Sequence, residues 1–245
     1  AGPGRQLGAR PRARQGKNIV DARNGGASGC VETGAFGTEA YWLTGYFNLP
    51  KVLELTLNNG FDERTKTQIG LKTRFARDYS TFEELMSAFK AQVNYLIDIK
   101  IRGNNVIMKT FANWLPVPFL SLLLEDCILN GKDYNNGGAR YNTTYIQGVG
   151  LGSITDILTS IHYNIYDTKK FTWKELLAAT DADFKDYEKI QHDLIYDTPK
   201  YGNDDDYADQ HAVAVFETFY DAVNGKPDSR GGVHRINMLP TTSHV

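Results

Sequence analysis

Apolar positions recur at helical spacing over most of this chain. Phe82, Leu85, Met86, Phe89, Val93, Leu96 and Ile97 fall three or four residues apart, the period of one helix face. Ser80-Thr81-Phe82-Glu83 reads as a capping box ahead of them. That helix is expected to end near Ile101, before Gly103. Pro50 opens PKVLELTLNN and Gly60 lies beyond it, the usual asymmetry of proline in the first turn and glycine past the end. Pro118 starts PFLSLLLEDCILN, apolar on most sides and ended by Gly131, which predicts a buried helix. GSITDILTSIHYNIYD predicts another, and Thr172 with Glu175 gives a second capping-box pattern. DFKDYEKIQHDLI predicts an amphipathic helix with Phe184, Tyr187 and Ile190 in step. Tyr207, His211, Val215 and Phe219 predict a last helix from about Asp206 to Val223, stopped by the run from Asn224 to Pro227. Strand signals are few and short, around Ile146–Val149 and Arg235–Met238. The pattern predicts an α/β fold, mostly helical with isolated strands.

Length and charge narrow this further. The 245 residues are 41% apolar, enough for a sizeable core in one domain or two. Twenty-seven basic against twenty-nine acidic residues leave a net charge of -2, which asks for neither nucleic acid nor a membrane surface. No apolar run reaches the ~20 residues of a membrane span. Two cysteines do not make a disulfide framework. They suit a reducing compartment, and the expected location is the cytoplasm. Residues 1–16 are mostly Gly, Ala, Arg and Pro and bury little, so 1–17 are expected to be a disordered or foreign leader and 18–245 the folded domain. The ending at LPTTSHV reads as a truncation.

Candidate chemistry concentrates in GGASGCVETGAFG, from Gly25 to Gly37. The glycines allow positive φ and close approach of the main chain. Cys30 has no Lys, Arg or His beside it, and Glu32 follows two residues later. Like-charge repulsion from a carboxylate disfavours a thiolate, and activated thiolates sit in electropositive surroundings. The local sequence therefore suits a neutral thiol that gives and takes a hydrogen atom, beside a carboxylate that moves a proton. Taken alone, the loop is better read as an incidental cysteine on a turn with a solvated acid nearby.

SGCVETGAFGTEAY resembles the active-site loop of the glycyl radical enzymes, the pyruvate formate-lyase-like superfamily. GGARYN (137–142), YIQGVG (145–150), TPKYGNDDDYAD (198–209) and MLPTTSHV (238–245) resemble further blocks of that family, from about Val20 to Val245. The resemblance implies part of a ten-stranded α/β barrel. It implies that Cys30 is the thiyl position and Glu32 the general base or acid. It also implies a glycyl radical installed by a separate radical-SAM activase, and often a homodimer. One cysteine rather than two adjacent ones disfavours formate-acetyl chemistry. Thr33 stands where diol dehydratases and choline lyase carry proline, and Trp42-Leu43-Thr44 where they carry Trp-His-Asp. The loop resembles most the trans-4-hydroxy-L-proline dehydratase branch, in which a tyrosine at the Tyr46 position lines the pocket for the small-molecule substrate. Packing alone would explain Tyr46 equally well. The family's Arg-Val-x-Gly-Tyr motif does not occur in these 245 residues, so the chain alone is expected to be inactive. The competing reading is a non-catalytic fragment. A cysteine hydrolase would need a histidine at Cys30.

Other features have plainer readings. Cys127, on an apolar stretch, is expected to be an inert core thiol. The run Asn203–Asp206 lacks EF-hand spacing and reads as a loop entering a helix. The five histidines show no metal-ligand spacing, and GVGLG (148–152) lacks the lysine and hydroxyl of a P-loop. Arg140 is expected to form a structural ion pair rather than to meet a substrate carboxylate.

Overall fold

The computed structural model describes residues 15–27 and 32–239. The chain forms two compact units, each assembled from separate stretches. Of the described residues, 15–27, 32–46, 98–147 and 223–237 make the first, and 47–97, 148–222 and 238–239 the second.

The first unit opens on the short helix α1 (Ile19–Arg23), capped by Asn18, whose side chain accepts from the Asp21 N–H. A hairpin follows, β1 (Gly25–Ala27) against β2 (Thr33–Ala35), paired antiparallel. Strand β3 (Glu39–Asn48) then joins β6 (Tyr141–Val149) and β7 (Val233–Leu239) in one sheet with β6 at its centre. Residues 39–46, 141–147 and 233–237 of that sheet belong to the first unit. A small apolar cluster of Ala40, Leu124, Cys127 and Ala139 packs with Tyr134. Lys17, assigned to the leader by composition, is buried and pairs with Glu39 at 3.0 Å.

Helix α2 (Leu49–Leu57) starts the second unit, with Asn48 capping it through the Lys51 N–H and Pro50 in its first turn. The two-residue strands β4 (Phe61–Asp62) and β5 (Thr67–Gln68) pair antiparallel. Helix α6 (Leu151–Ile161) packs on α2 and runs directly into a π-helical turn at His162–Asp167. Helix α7 (Trp173–Asp181) begins with the expected capping box: the Thr172 hydroxyl accepts from the Glu175 N–H, and Glu175 accepts from the Thr172 N–H at 2.7 Å. It packs on α8 (Glu188–Tyr196). Helix α9 (Asp206–Val223) has the predicted bounds. Its buried His211, Val215 and Phe219 keep the four-residue spacing, and Phe219 stacks on Phe47 with ring centroids 5.5 Å apart.

Five expectations are corrected. Helix α3 (Phe82–Trp114) does not stop before Gly103. Ile97, Ile101, Asn104 and Met108 carry a buried stripe straight past it, and that packing outweighs the ~1 kcal/mol that an interior glycine costs. The N-cap at its start lies one residue later than read: the Thr81 hydroxyl accepts from the Glu84 N–H, while the Glu84 carboxylate accepts from the Ser80 N–H instead of closing a box on Thr81. The run 118–130 is not a buried helix but two short ones, α4 (Pro118–Ser121) and α5 (Glu125–Leu129), which leave Phe119, Leu122, Leu123, Ile128 and Leu129 exposed. Leu124 breaks the run with extended backbone, and the Glu125 N–H is taken by the Gly37 carbonyl. Helix α8 starts only at Glu188, because Asp183, Phe184 and Asp186 adopt positive φ and the Phe184 N–H closes α7 on the Ala179 carbonyl. Strands are also longer than expected: β3 has ten residues and β6 nine.

Candidate active site

The glycine-rich run folds as the β1–β2 hairpin in the first unit. Gly25 pairs with Ala35, Gly26 with Gly34, and Ala27 with Thr33. Gly25 and Gly26 are extended, not left-handed, so positive φ is not why glycine stands there. The cross-strand pair Gly26 and Gly34 instead admits aromatic rings. A Cβ on Gly34 would lie 3.1 Å from the Tyr41 ring, and one on Gly26 would meet the Phe36 ring at 2.6 Å. Cys30 falls within residues 28–31, outside the described residues. The pairing of Ala27 with Thr33 brings together the two ends of the segment that carries it.

Glu32 sits at the foot of β2 and is only 2% exposed. The Gln147 side-chain amide, 3% exposed, donates to its Oε1 at 2.7 Å. Gln147 is the last of three alternate residues of β6 whose side chains reach the hairpin or the start of β3. The Thr143 hydroxyl donates to Glu39 Oε1 at 2.6 Å, and the Tyr145 hydroxyl donates to the Thr33 carbonyl at 3.1 Å. Side chains two apart on a strand share a face, so one face of β6 holds the hairpin directly at two points and, through Glu39, at a third. Glu39 adds the backbone of β2, accepting from the Ala35 N–H at 2.8 Å. Burial, and after it the charge of Glu39, pushes the Tyr145 phenol up to about 12. Tyr145 therefore remains a protonated donor at any physiological pH.

Tyr46 lies near the end of β3 and is 48% exposed. Thr44, on the same strand, is held tightly. Its hydroxyl donates to the Tyr145 carbonyl at 2.8 Å and accepts from Asn104, while Lys100 donates to its carbonyl. Trp42 packs beneath the Arg230 guanidinium, 5.0 Å from its ring centre, and meets Phe111 edge-on. Sequence reasoning passed over Gln147, Tyr145, Thr143 and Glu39 as functional supports. The available signal was alternation of side chains able to hydrogen-bond in YNTTYIQ, but their partners lie more than 100 residues away.

The remaining candidates have structural roles. Arg140 binds Asp21, Glu125 and Asp126 as an ion-pair hub, which raises its proton affinity further, and it does so as the sequence suggested. Cys127 is buried, and burial with Asp133 and Asp126 nearby raises its thiol pKa, the opposite of activation. Asp205 accepts from the Tyr207 N–H at the entry to α9. His192, Asp193 and Asp197 cluster closely enough to hold an ion, but Lys170 already pairs with both carboxylates. In the second unit, His162 Nδ1 lies 3.3 Å from His211 Nε2, with Phe82 stacked on His162. Among the described residues, no helix is long and apolar enough to cross a membrane.

The pyruvate formate lyase-like family profile matches residues 6–245, and the chain belongs to that family, among the glycyl radical enzymes. It is similar to trans-4-hydroxy-L-proline dehydratase of Clostridioides difficile, with 57% identity over 230 residues, covering 94% of this chain and 29% of that protein. The (2S)-3-sulfopropanediol dehydratase of Klebsiella oxytoca is 33% identical over 236 residues, 95% of this chain and 28% of that one. The chain thus spans under a third of the length of these relatives. A crystal structure of the Clostridioides difficile enzyme with trans-4-hydroxy-L-proline bound matches with a TM-score of 0.94 at 54% identity, covering 98% of this chain and 30% of that one. The glycerol-bound B12-independent glycerol dehydratase of Clostridium butyricum matches at 0.89 and 35% identity, over 96% of this chain and 30% of that one.

Proposed function

We propose that this chain is the cysteine-loop segment of a glycyl radical dehydratase acting on trans-4-hydroxy-L-proline. The observation that carries the reading is the buried Glu32, two residues after Cys30 and bonded to Gln147. The 57% identity to a hydroxyproline dehydratase supports the substrate. Thr44 supports it too. Where the resemblance to diol dehydratases and choline lyase would put a hydroxyl-binding aspartate, this chain has a threonine whose hydroxyl is already committed to Tyr145 and Asn104.

In such an enzyme the glycyl radical, installed by a radical-SAM activase on a glycine outside this segment, supplies the oxidising equivalent that makes the cysteine a thiyl. Cys30 would then take a hydrogen atom from the ring carbon beside the nitrogen. The hydroxyl on the neighbouring carbon would leave as water, with Glu32 moving the proton. The Cys30 S–H would return its hydrogen to the ring. The net change is loss of one water, and the product is a pyrroline carboxylate. Tyr46 is assigned to the pocket wall. The complete protein is assigned to the ten-stranded barrel, the homodimer and the cytoplasm of its family, where a free thiol survives.

A complete protein carrying this segment, activated anaerobically, tests the reading. Mass spectrometry should detect a pyrroline carboxylate from trans-4-hydroxy-L-proline. A strong glycyl radical signal with hydroxyproline left untouched would overturn the substrate. Turnover of a diol or choline instead would favour another glycyl radical lyase.

A further inference from the structure

The geometry points to Gln147 as a positioning residue that aims the Glu32 carboxylate. The inference rests on the reading of Glu32 as the proton-moving group, and goes beyond it by naming what fixes that group. A buried carboxylate on a hairpin has two soft torsions ahead of its terminal group. Here Oε1 is pinned by the Gln147 N–H at 2.7 Å, between two side chains that solvent scarcely reaches. Pinning one oxygen sets where the other points. At 2.7 Å the bond is short and directional.

The amide is itself well held. Gln147 follows Thr143 and Tyr145 on one face of the central strand; Tyr145 binds the same hairpin at the Thr33 carbonyl, and Thr143 binds Glu39 of β3, which in turn holds the Ala35 N–H. Thr33 is the residue after Glu32, so the peptide carrying the carboxylate and the carboxylate itself are tied to β6 two residues apart. Proton transfer demands a donor and acceptor within hydrogen-bond reach in the reacting pose. An arrangement that fixes both the backbone and the head group of the acid meets that demand before substrate arrives.

The test uses a complete activated enzyme carrying this segment, with rates normalised to the glycyl radical content measured by electron paramagnetic resonance. Gln147→Met keeps the volume and removes the N–H. It should lower kcat about 10- to 100-fold, within the 10²–10⁴ that general acid–base catalysis supplies, and leave KM within about threefold. Glu32→Gln should lower kcat at least as far, and the double variant Glu32→Gln/Gln147→Met should fall no further than Glu32→Gln alone, because Gln147 acts through Glu32. If Gln147→Met yields no radical, Gln147→Asn, which withdraws the amide by one methylene, takes its place in the same comparison. Unchanged kcat, or losses that multiply in the double variant while Glu32→Gln is crippled, would overturn the role of Gln147 and leave that of Glu32 standing. Normal turnover by Glu32→Gln would overturn the role of Glu32 itself.

Discussion

Replacing both partners of the Lys17–Glu39 pair should cost clearly less than the two single replacements summed. The charges lie 3.0 Å apart, and the side chains are 3% and 0% exposed. At an effective dielectric constant of about 20, that separation is worth about 5.5 kcal/mol. Desolvation of the two ions costs a comparable amount, so the intact pair is near neutral. Removing one partner leaves the other charge buried, at about 3–5 kcal/mol. Lys17→Met should fall at the low end, because Glu39 keeps its bonds from the Ala35 N–H and the Thr143 hydroxyl. Glu39→Leu should fall at the high end or beyond, because it strands the lysine and frees both donors. The double variant Lys17→Met/Glu39→Leu should recover at least ~2 kcal/mol of the summed losses, retaining ~1–3 kcal/mol for each of the two donors left unpaired, the Ala35 N–H and the Thr143 hydroxyl. Urea titrations of all four proteins, followed by circular dichroism, give the cycle. Losses that add within ~0.5 kcal/mol would refute the buried-pair argument and place Lys17 outside the packed structure.

Acid should destabilise the second unit through His211. Burial, and then the neighbouring His162, lower its pKa from 6.5 to about 4. A depressed histidine is neutral in the fold while the unfolded chain takes up the proton, so stability is full above about pH 6.5 and falls as the pH drops toward 4. The interval converts to about 3 kcal/mol, and solvent in the adjoining cleft of about 500 Å³ reduces the expected loss to ~1–2. His211→Phe should flatten that part of a stability-against-pH curve, and an unchanged slope would count against it. Gly148→Ala would put a methyl 2.8 Å from the buried Phe219 ring and 3.1 Å from the Met238 sulfur, so a loss of ~1–3 kcal/mol is expected in a denaturant melt. Tyr145→Phe removes the donor to the Thr33 carbonyl, and faster amide exchange across 33–35 should follow with α9 unaffected.

Helices that pack by their own periodicity could be read from the sequence, and structure held by distant partners could not. The last helix has the expected bounds because its stripe, its acidic start and its Asn-Gly stop agree with one another. The hairpin was invisible because Thr33 is the one strand-favouring residue among the six of Gly25–Ala27 and Thr33–Ala35, and its register is imposed by β6 and Glu39. Strand β3 was missed because its ten residues do not alternate cleanly between buried and exposed. The apolar run 118–130 misled in the other direction, since hydrophobicity alone does not say that a segment is covered. At the site, the cysteine and glutamate were legible as a pair two residues apart, whereas the grip on Glu32 comes from 115 residues away.

The account's central claim divides the work between a thiol that moves a hydrogen atom and a carboxylate that moves a proton. It is tested most directly in a complete activated enzyme carrying this segment, given trans-4-hydroxy-L-proline deuterated at the ring carbon beside the nitrogen. Glu32→Gln should still exchange deuterium with the Cys30 thiol, and through it with solvent, while losing dehydration. Cys30→Ser should lose both. Dehydration at the normal rate by Glu32→Gln, or exchange by Cys30→Ser, would contradict the claim.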